Sequence, residues 1–172
     1  LPSELREKVL ALSNKTKDIN EFLVDVLAID LPETQAGGER TVTYHDPCHL
    51  KKSLGVARQP RAILNALPGW RFVEMQEADR CCGMGGSFNL QHYDLSRQIG
   101  MKKCQRIIES GADTVATGCP ACMMQITDQL SQAGKSIAVR HPVELYAEAL
   151  EHRAAPGSDA AAKTERKAGG QW

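Results

Sequence analysis

The sequence predicts an α/β domain: a parallel β-sheet of about four strands flanked by helices in Rossmann-like layers, with an N-terminal helical connector. Three observations lead there. Short β-rich runs recur along the chain, they alternate with stretches of helical periodicity, and 172 residues suffice for one core of ordinary size. Strands alternating with helices of this length imply parallel pairing with both sheet faces covered.

The elements follow in order. Leu5, Val9 and Leu12 recur on one face of a first helix. Asp18 is placed to N-cap a second helix, with Glu21 at N3 and Phe22, Val26 and Ile29 as its apolar stripe. Pro32 and Gln35-Ala36-Gly37-Gly38 end it and read as a linker. Thr41-Val42-Thr43-Tyr44 is the first strand, and a helix fits from about Pro60 to Leu67. Trp70 to Met75 is the second strand, followed by one long helix from about Leu90 to Ser110. Thr114 to Thr117 is the third strand, with a helix over residues 120–133 behind it. Ile137 to Arg140 is the fourth, and Pro142 stands at the N1 position of a closing helix through Leu150. By composition the chain divides into a helical connector and linker (1–38), the α/β domain (39–152) and a tail (153–172) expected to be disordered.

Bulk composition excludes several classes. Lys and Arg total 21 and Asp and Glu total 21, so zero net charge gives no basis for non-specific nucleic-acid binding. No apolar run approaches the ~20 residues that span a bilayer. The first residues have neither the basic nor the apolar part of a signal peptide, and they lack an initiator Met, as expected of a processed chain or a piece of something longer. The expected compartment is the cytoplasm or the cytoplasmic face of a membrane complex.

The cysteines carry the functional signal. Five of the six occur as Cys48, the vicinal pair Cys81-Cys82, and Cys119-Pro120-Ala121-Cys122. Each group follows a predicted strand, so all five lie on the strand-to-helix side of the sheet, where ligands bind in open parallel sheets. Pro120 suits the first turn of a helix, which makes Cys119 its N-cap and puts Cys122 at N3. A helix N-terminus favours thiolate, the form that binds metal. Gly83, Gly85 and Gly86 let the backbone approach a bulky anionic group and aim N–H donors at it.

These residues admit three readings. A disulfide framework is disfavoured by the clustering and the absent export signal. A structural zinc site needs four thiols, or three with His45 or His49. The fifth thiol and the adjacent pair favour an iron–sulfur cluster, which offers several metal corners. His45 and His49 bracket Cys48, and an ordinary loop role is the default for both. Asp46 is placed to cap a helix starting near Pro47. Cys104, on a stripe with Gly100, Ile107 and Ile108, reads as a small buried hydrophobe, and Met123 and Met124 as packing residues.

The spacing, with 32 residues between Cys48 and Cys81 and 35 between Gly83 and Cys119, resembles the cysteine-rich CCG domain. That domain occurs in the cysteine-rich subunit of heterodisulfide reductase, in the glycolate oxidase iron–sulfur subunit, in lactate-utilisation proteins and in an iron–sulfur subunit of anaerobic glycerol-3-phosphate dehydrogenase. The resemblance covers about residues 40–150, and residues 1–31 look like the connector leading into the second of two such domains. It implies a 4Fe–4S cluster, of a non-cubane kind, held by Cys48, Cys81, Cys82, Cys119 and Cys122. It further implies electron transfer from a partner flavoprotein dehydrogenase, which carries the FAD, towards quinone or another acceptor. Other Fe–S domains of the same complex are implied as partners, with any membrane association made through them. Reduction of a disulfide at the cluster is the implied alternative.

Overall fold

The computed structural model describes residues 2–31 and 38–154. Four strands, β1 (Arg40–Tyr44), β2 (Trp70–Phe72), β3 (Thr114–Ala116) and β4 (Ala138–Arg140), form an all-parallel sheet in the order β2-β1-β3-β4. The helices are α1 (Ser3–Lys15), α2 (Ile19–Glu21), α3 (Arg58–Asn65), α4 (Phe88–Gln91), α5 (Tyr93–Glu109), α6 (Pro120–Gln132) and α7 (Pro142–Ala154). The predicted class and the alternation of elements hold.

Successive side chains on a strand point to opposite faces, and this alternation builds two cores. Val115 belongs to one, with Met75, Ile107, Ile126 and Leu130, under α5 and α6. Its neighbour Ala116 belongs to the other, with Val42, Tyr44, Leu64 and Leu145, under α3 and α7. Ile63, Leu64, Val42, Val115 and Ile107 are wholly buried. Each such side chain contributes about 1.5–3 kcal/mol on leaving water.

The order β2-β1-β3-β4 puts a topological switch point between β1 and β3. From β1 the chain runs out to α3 on one face and returns as β2. From β3 it runs out to α6 on the other face and returns as β4. The loops beyond the carboxyl ends of β1 and β3 therefore part, and a crevice opens between them.

Several boundaries differ from expectation, each for a local reason. The second strand stops at Phe72 rather than Met75, because Glu74 turns to Arg61 (Oε2···Nε 2.6 Å) and Glu77 adopts φ 53°. The long helix is broken at His92 (φ −133°, ψ 52°), where Asn89 reaches Ser96 Oγ (3.1 Å) and Gln125 Oε1 (2.8 Å). Asp18 caps α2 through Asn20 N–H (2.9 Å), but Glu21 pairs with Lys17 rather than closing a capping box. After α2 the backbone widens into a π-turn over Phe22–Val26, so Phe22 and Val26 are exposed and Ile29 falls beyond the helix. The stripe of α1 is likewise exposed: Leu5, Val9 and Leu12 bury nothing, and the helix has an i,i+4 pair, Glu4–Lys8 (2.7 Å). The linker residues Pro32 and Gln35 to Gly37, and the tail from residue 155, lie outside the described residues.

Candidate metal centre

Each cysteine group is carried to the crevice by the element before it. After β1 the chain passes His45, Asp46 and Pro47, and Cys48 opens a helical turn. That turn widens into a π-turn over Leu50–Leu54 and stops at Gly55, at φ 72°. Asp46 does not cap it, contrary to expectation. Its carboxylate is wholly buried and receives the Arg61 guanidinium in a two-point pair (2.7 and 2.9 Å), with Lys51 Nζ farther out (3.4 Å). Arg61 also clasps Glu74 beyond β2 (2.6 and 2.7 Å), so one guanidinium staples the Cys48 loop to the strand leading to Cys81. Beyond β3, Cys119 is the N-cap of α6, Pro120 stands at its first position, and Met123 N–H donates to Cys119 O (2.9 Å), as the sequence predicts.

The result is a single cavity of about 120 Å³ lined by all five thiols, with His45, His49, Met84, Gly85, Gly86 and Ala121 completing its wall. Cys82, Cys119 and Cys122 form the buried floor, and Cys48 and Cys81 the exposed rim. Cys82 Sγ lies 3.2 Å from Cys122 Sγ, and Gly83 N–H points at Cys81 Sγ (3.3 Å). Gly83 itself is needed elsewhere: it has φ 96°, and a Cβ there would sit 2.4 Å from Ser96 O of α5. Gly85 and Gly86, at φ 54° and 61°, are the two that border the cavity.

Without metal the two vicinal thiols are held protonated. The neighbouring Cys82 thiol, then burial, raises Cys81 above the ordinary range. The contact with Cys122, with burial assisting, pushes Cys82 up to about 11. A bound cation reverses that preference, because thiolate is the ligating form.

His45 is the residue whose part the sequence understated. It is buried, its Nδ1 bonds Ala78 O (3.1 Å), and its Nε2 has no partner among the described residues. Since a carbonyl only accepts, Nδ1 carries the proton and Nε2 presents a bare lone pair. Burial, and next the nearby Lys103, hold the ring neutral, with its pKa lowered to about 3. His45, Cys82 and Cys122 offer ligand atoms within 4.8 Å of one another. His49, by contrast, is exposed at the rim. The donor set is therefore five sulfurs and one orphaned imidazole nitrogen, which suits soft or borderline metals and iron–sulfur centres rather than calcium or magnesium.

Cys104 does not reach the cavity. It is buried in the core behind Cys82, on the expected stripe with Gly100 and Ile107, and burial pushes its thiol up to about 11. Met123 is half-buried, but Met124 is exposed, so of the two only Met123 packs. Lys103, beside Cys104 on that stripe, is wholly buried. A lysine in register with Gly100, Cys104 and Ile107 was the available signal for it.

Known proteins resemble this chain in sequence. The profile of the cysteine-rich domain family CCG matches residues 42–127. The chain is 37% identical over 135 residues to a subunit of the dihydromethanophenazine:CoB–CoM heterodisulfide reductase of Methanosarcina barkeri, covering 77% of this chain and 33% of that one. It is 36% identical over 140 residues to lactate utilization protein A of Oceanobacillus iheyensis (81% and 56%). It is 43% identical over 117 residues to a subunit of the fumarate reductase (CoM/CoB) of Methanothermobacter marburgensis (68% and 23%). The chain thus spans between about a quarter and just over half of the length of these relatives. Among the described residues no helix is long and apolar enough to cross a membrane.

Proposed function

Because the chain belongs to the cysteine-rich CCG family, we propose that its five-thiol cavity holds a 4Fe–4S cluster of the non-cubane kind and serves as an electron-transfer site of an oxidoreductase complex. One observation carries the reading: thiols from three loops, up to 74 positions apart in sequence (Cys48 to Cys122), line one cavity at the switch point of the sheet. When bound, such a cluster supplies one-electron chemistry at a potential tuned by charge and hydrogen bonds around it. The residues of this chain hold and shield it. Cys82, Cys119 and Cys122 form a buried floor, Cys48 and Cys81 form the rim, and Gly83 N–H is a donor directed at sulfur. The Arg61–Asp46–Glu74 staple keeps the first and second loops in register before anything binds. The partner in this reading is a flavoprotein dehydrogenase for a 2-hydroxy acid or glycerol phosphate. Other Fe–S domains relay the electrons towards quinone at the cytoplasmic face of a membrane.

A second reading has its own observation. Cys48 and Cys81 stand exposed at the mouth of the cavity, so a disulfide substrate would find the rim accessible, and the name of the Methanosarcina barkeri relative is that of a heterodisulfide reductase. Anaerobic reconstitution with iron and sulfide decides whether the centre is a cluster at all. About four irons per chain, with an EPR signal on reduction, are expected. Cys81→Ser loses them, whereas Cys104→Ser retains them. Tight binding of a single zinc, with no uptake of iron, would instead make the centre structural and refute the electron-transfer reading.

A further inference from the structure

We propose that Lys103 is a positioning residue for the metal centre: a buried cation behind the cavity that raises the potential at which the centre accepts an electron. The inference rests on the iron–sulfur reading above.

Lysines on helices normally lay their stems on apolar surface and lift the ammonium into water. Lys103 does the opposite. It projects from α5 on the stripe of Gly100, Cys104 and Ile107, and no part of it is exposed. Its Nζ donates to Glu77 O (2.7 Å) and Ala78 O (3.1 Å), and Met75 Sδ lies 3.9 Å away. Among the described residues no carboxylate is within ion-pair distance of it. The acids nearest in influence, Asp79, Asp46 and Glu77, are committed to other partners: Asp79 to Lys51, Asp46 to Arg61, and Glu77 to Arg106 and Arg80. An ammonium buried on carbonyls alone is costly unless an anion nearby compensates it.

The structure places the anion's seat beside it. Ala78 O accepts from three donors at once: Lys103 Nζ at 3.1 Å, His45 Nδ1 at 3.1 Å and Asp46 N–H at 3.0 Å. This one carbonyl joins α5, the β1 loop and the β2 loop. The His45 ring stands on it, keeps a buried Nε2 without a partner among the described residues, and offers a ring nitrogen within 4.8 Å of Cys82 and Cys122. Lys103 is thus two hydrogen bonds behind the wall of the cavity. A centre built from thiolates and sulfide is negatively charged, and each added electron makes it more so. A fixed cation in a water-poor wall favours the reduced form.

Removing the charge need not break the loop. Glu77 O keeps the Arg80 N–H donor (2.9 Å), and Ala78 O keeps His45 and Asp46. The test uses the full chain, anaerobically loaded with iron and sulfide, in four forms: wild type, Lys103→Met, Lys103→Gln and Lys103→Arg. Iron content, thermal unfolding without metal and EPR-monitored redox titration are read. Gln keeps an N–H donor without the charge, and Arg keeps the charge. Both neutral variants are expected to unfold no lower than wild type when metal-free. When loaded, their reduced-to-oxidised ratio should be about tenfold smaller at the wild-type midpoint, or ~59 mV for a one-electron couple. Arg should restore the wild-type value. Neutral variants that load iron and titrate at the wild-type potential overturn the inference while leaving the cluster reading intact. Loss of folding in both neutral variants overturns it as well, since Lys103 would then be structural. A wild-type chain that takes up no iron removes the cluster reading itself, and this inference with it.

Discussion

Replacing Gly83 by Ala, alongside Gly86 by Ala, separates two reasons for a glycine three residues apart in one loop. Both have positive φ, 96° and 61°, where an L side chain costs ~1–2 kcal/mol. Both substitutions also stiffen the unfolded chain, which offsets ~0.4–1 kcal/mol. The second of these cancels in the comparison, and the first in part, since φ 96° lies beyond the left-handed region that L residues visit and adds to the cost at Gly83. What also differs is space. A Cβ at Gly86 meets nothing within 4 Å, whereas one at Gly83 lies 2.4 Å from Ser96 O and 3.2 Å from Gly100 N, both backbone atoms of α5. Backbone in a helix cannot turn aside as a side chain can, so α5 or the Cys82 segment must shift. Overpacking of this kind costs ~1–3 kcal/mol. For a chain of this size each kcal/mol moves the melting temperature by ~2–4 °C. Gly83→Ala is therefore expected to melt roughly 2–12 °C below Gly86→Ala in metal-free protein, by circular dichroism or calorimetry. It should also bind iron more weakly, because Ser96 Oγ holds Gly83 O (2.9 Å) beside the vicinal cysteines. Equal melting temperatures would refute the account of Gly83 as a contact with α5.

Two other outcomes follow from the polar framework. Arg61→Met strips the buried Asp46 carboxylate of its two-point partner and leaves Lys51 at 3.4 Å, so a loss of about 3 kcal/mol, the low end for a broken buried pair, is expected in urea unfolding; a loss below about 1 kcal/mol would mean that the staple is ornamental. His141 accepts the Val143 N–H at Nδ1 (3.2 Å), and burial holds its pKa below the usual histidine value. Below about pH 6.5 the unfolded chain takes a proton there that the folded chain refuses, so stability falls as pH falls through that value. His141→Asn, which can accept the same N–H, should flatten the decline in melting temperature between about pH 7 and 5.5, and an unchanged slope would contradict it.

The sheet and its order of helices were legible because their causes are local. Thr41 to Tyr44 and Thr114 to Ala116 are β-rich runs, Pro120 and Pro142 mark helix starts, and Asp18 caps α2 through its own side chain. The cysteine groups were legible as well, since each follows a strand and a parallel sheet gathers such loops at one edge. Misread features have distant causes. The shortened β2 reflects Glu74 turning to Arg61, and the break at His92 comes with bonds from Asn89 to Ser96 and Gln125. Met124 faces outward although it follows the CxxC turn, because α6 shows the core Cys122, Gln125 and Ile126 instead.

From residue types and spacing alone, this protein is an α/β domain with five thiols at one sheet edge, because strand–helix alternation and the chemistry of cysteine are written in the chain. Only the folded molecule decided which polar groups serve those thiols. Asp46 became the buried end of an ion-pair staple, His45 was buried beside Cys82 and Cys122 with one nitrogen left bare, and Lys103 went inside. Such roles depend on what water is excluded from and on which carbonyls lie opposite. Residues 15 or more positions away set both, as when Arg61 meets Asp46 or Ala78 O meets Lys103 and His45 at once.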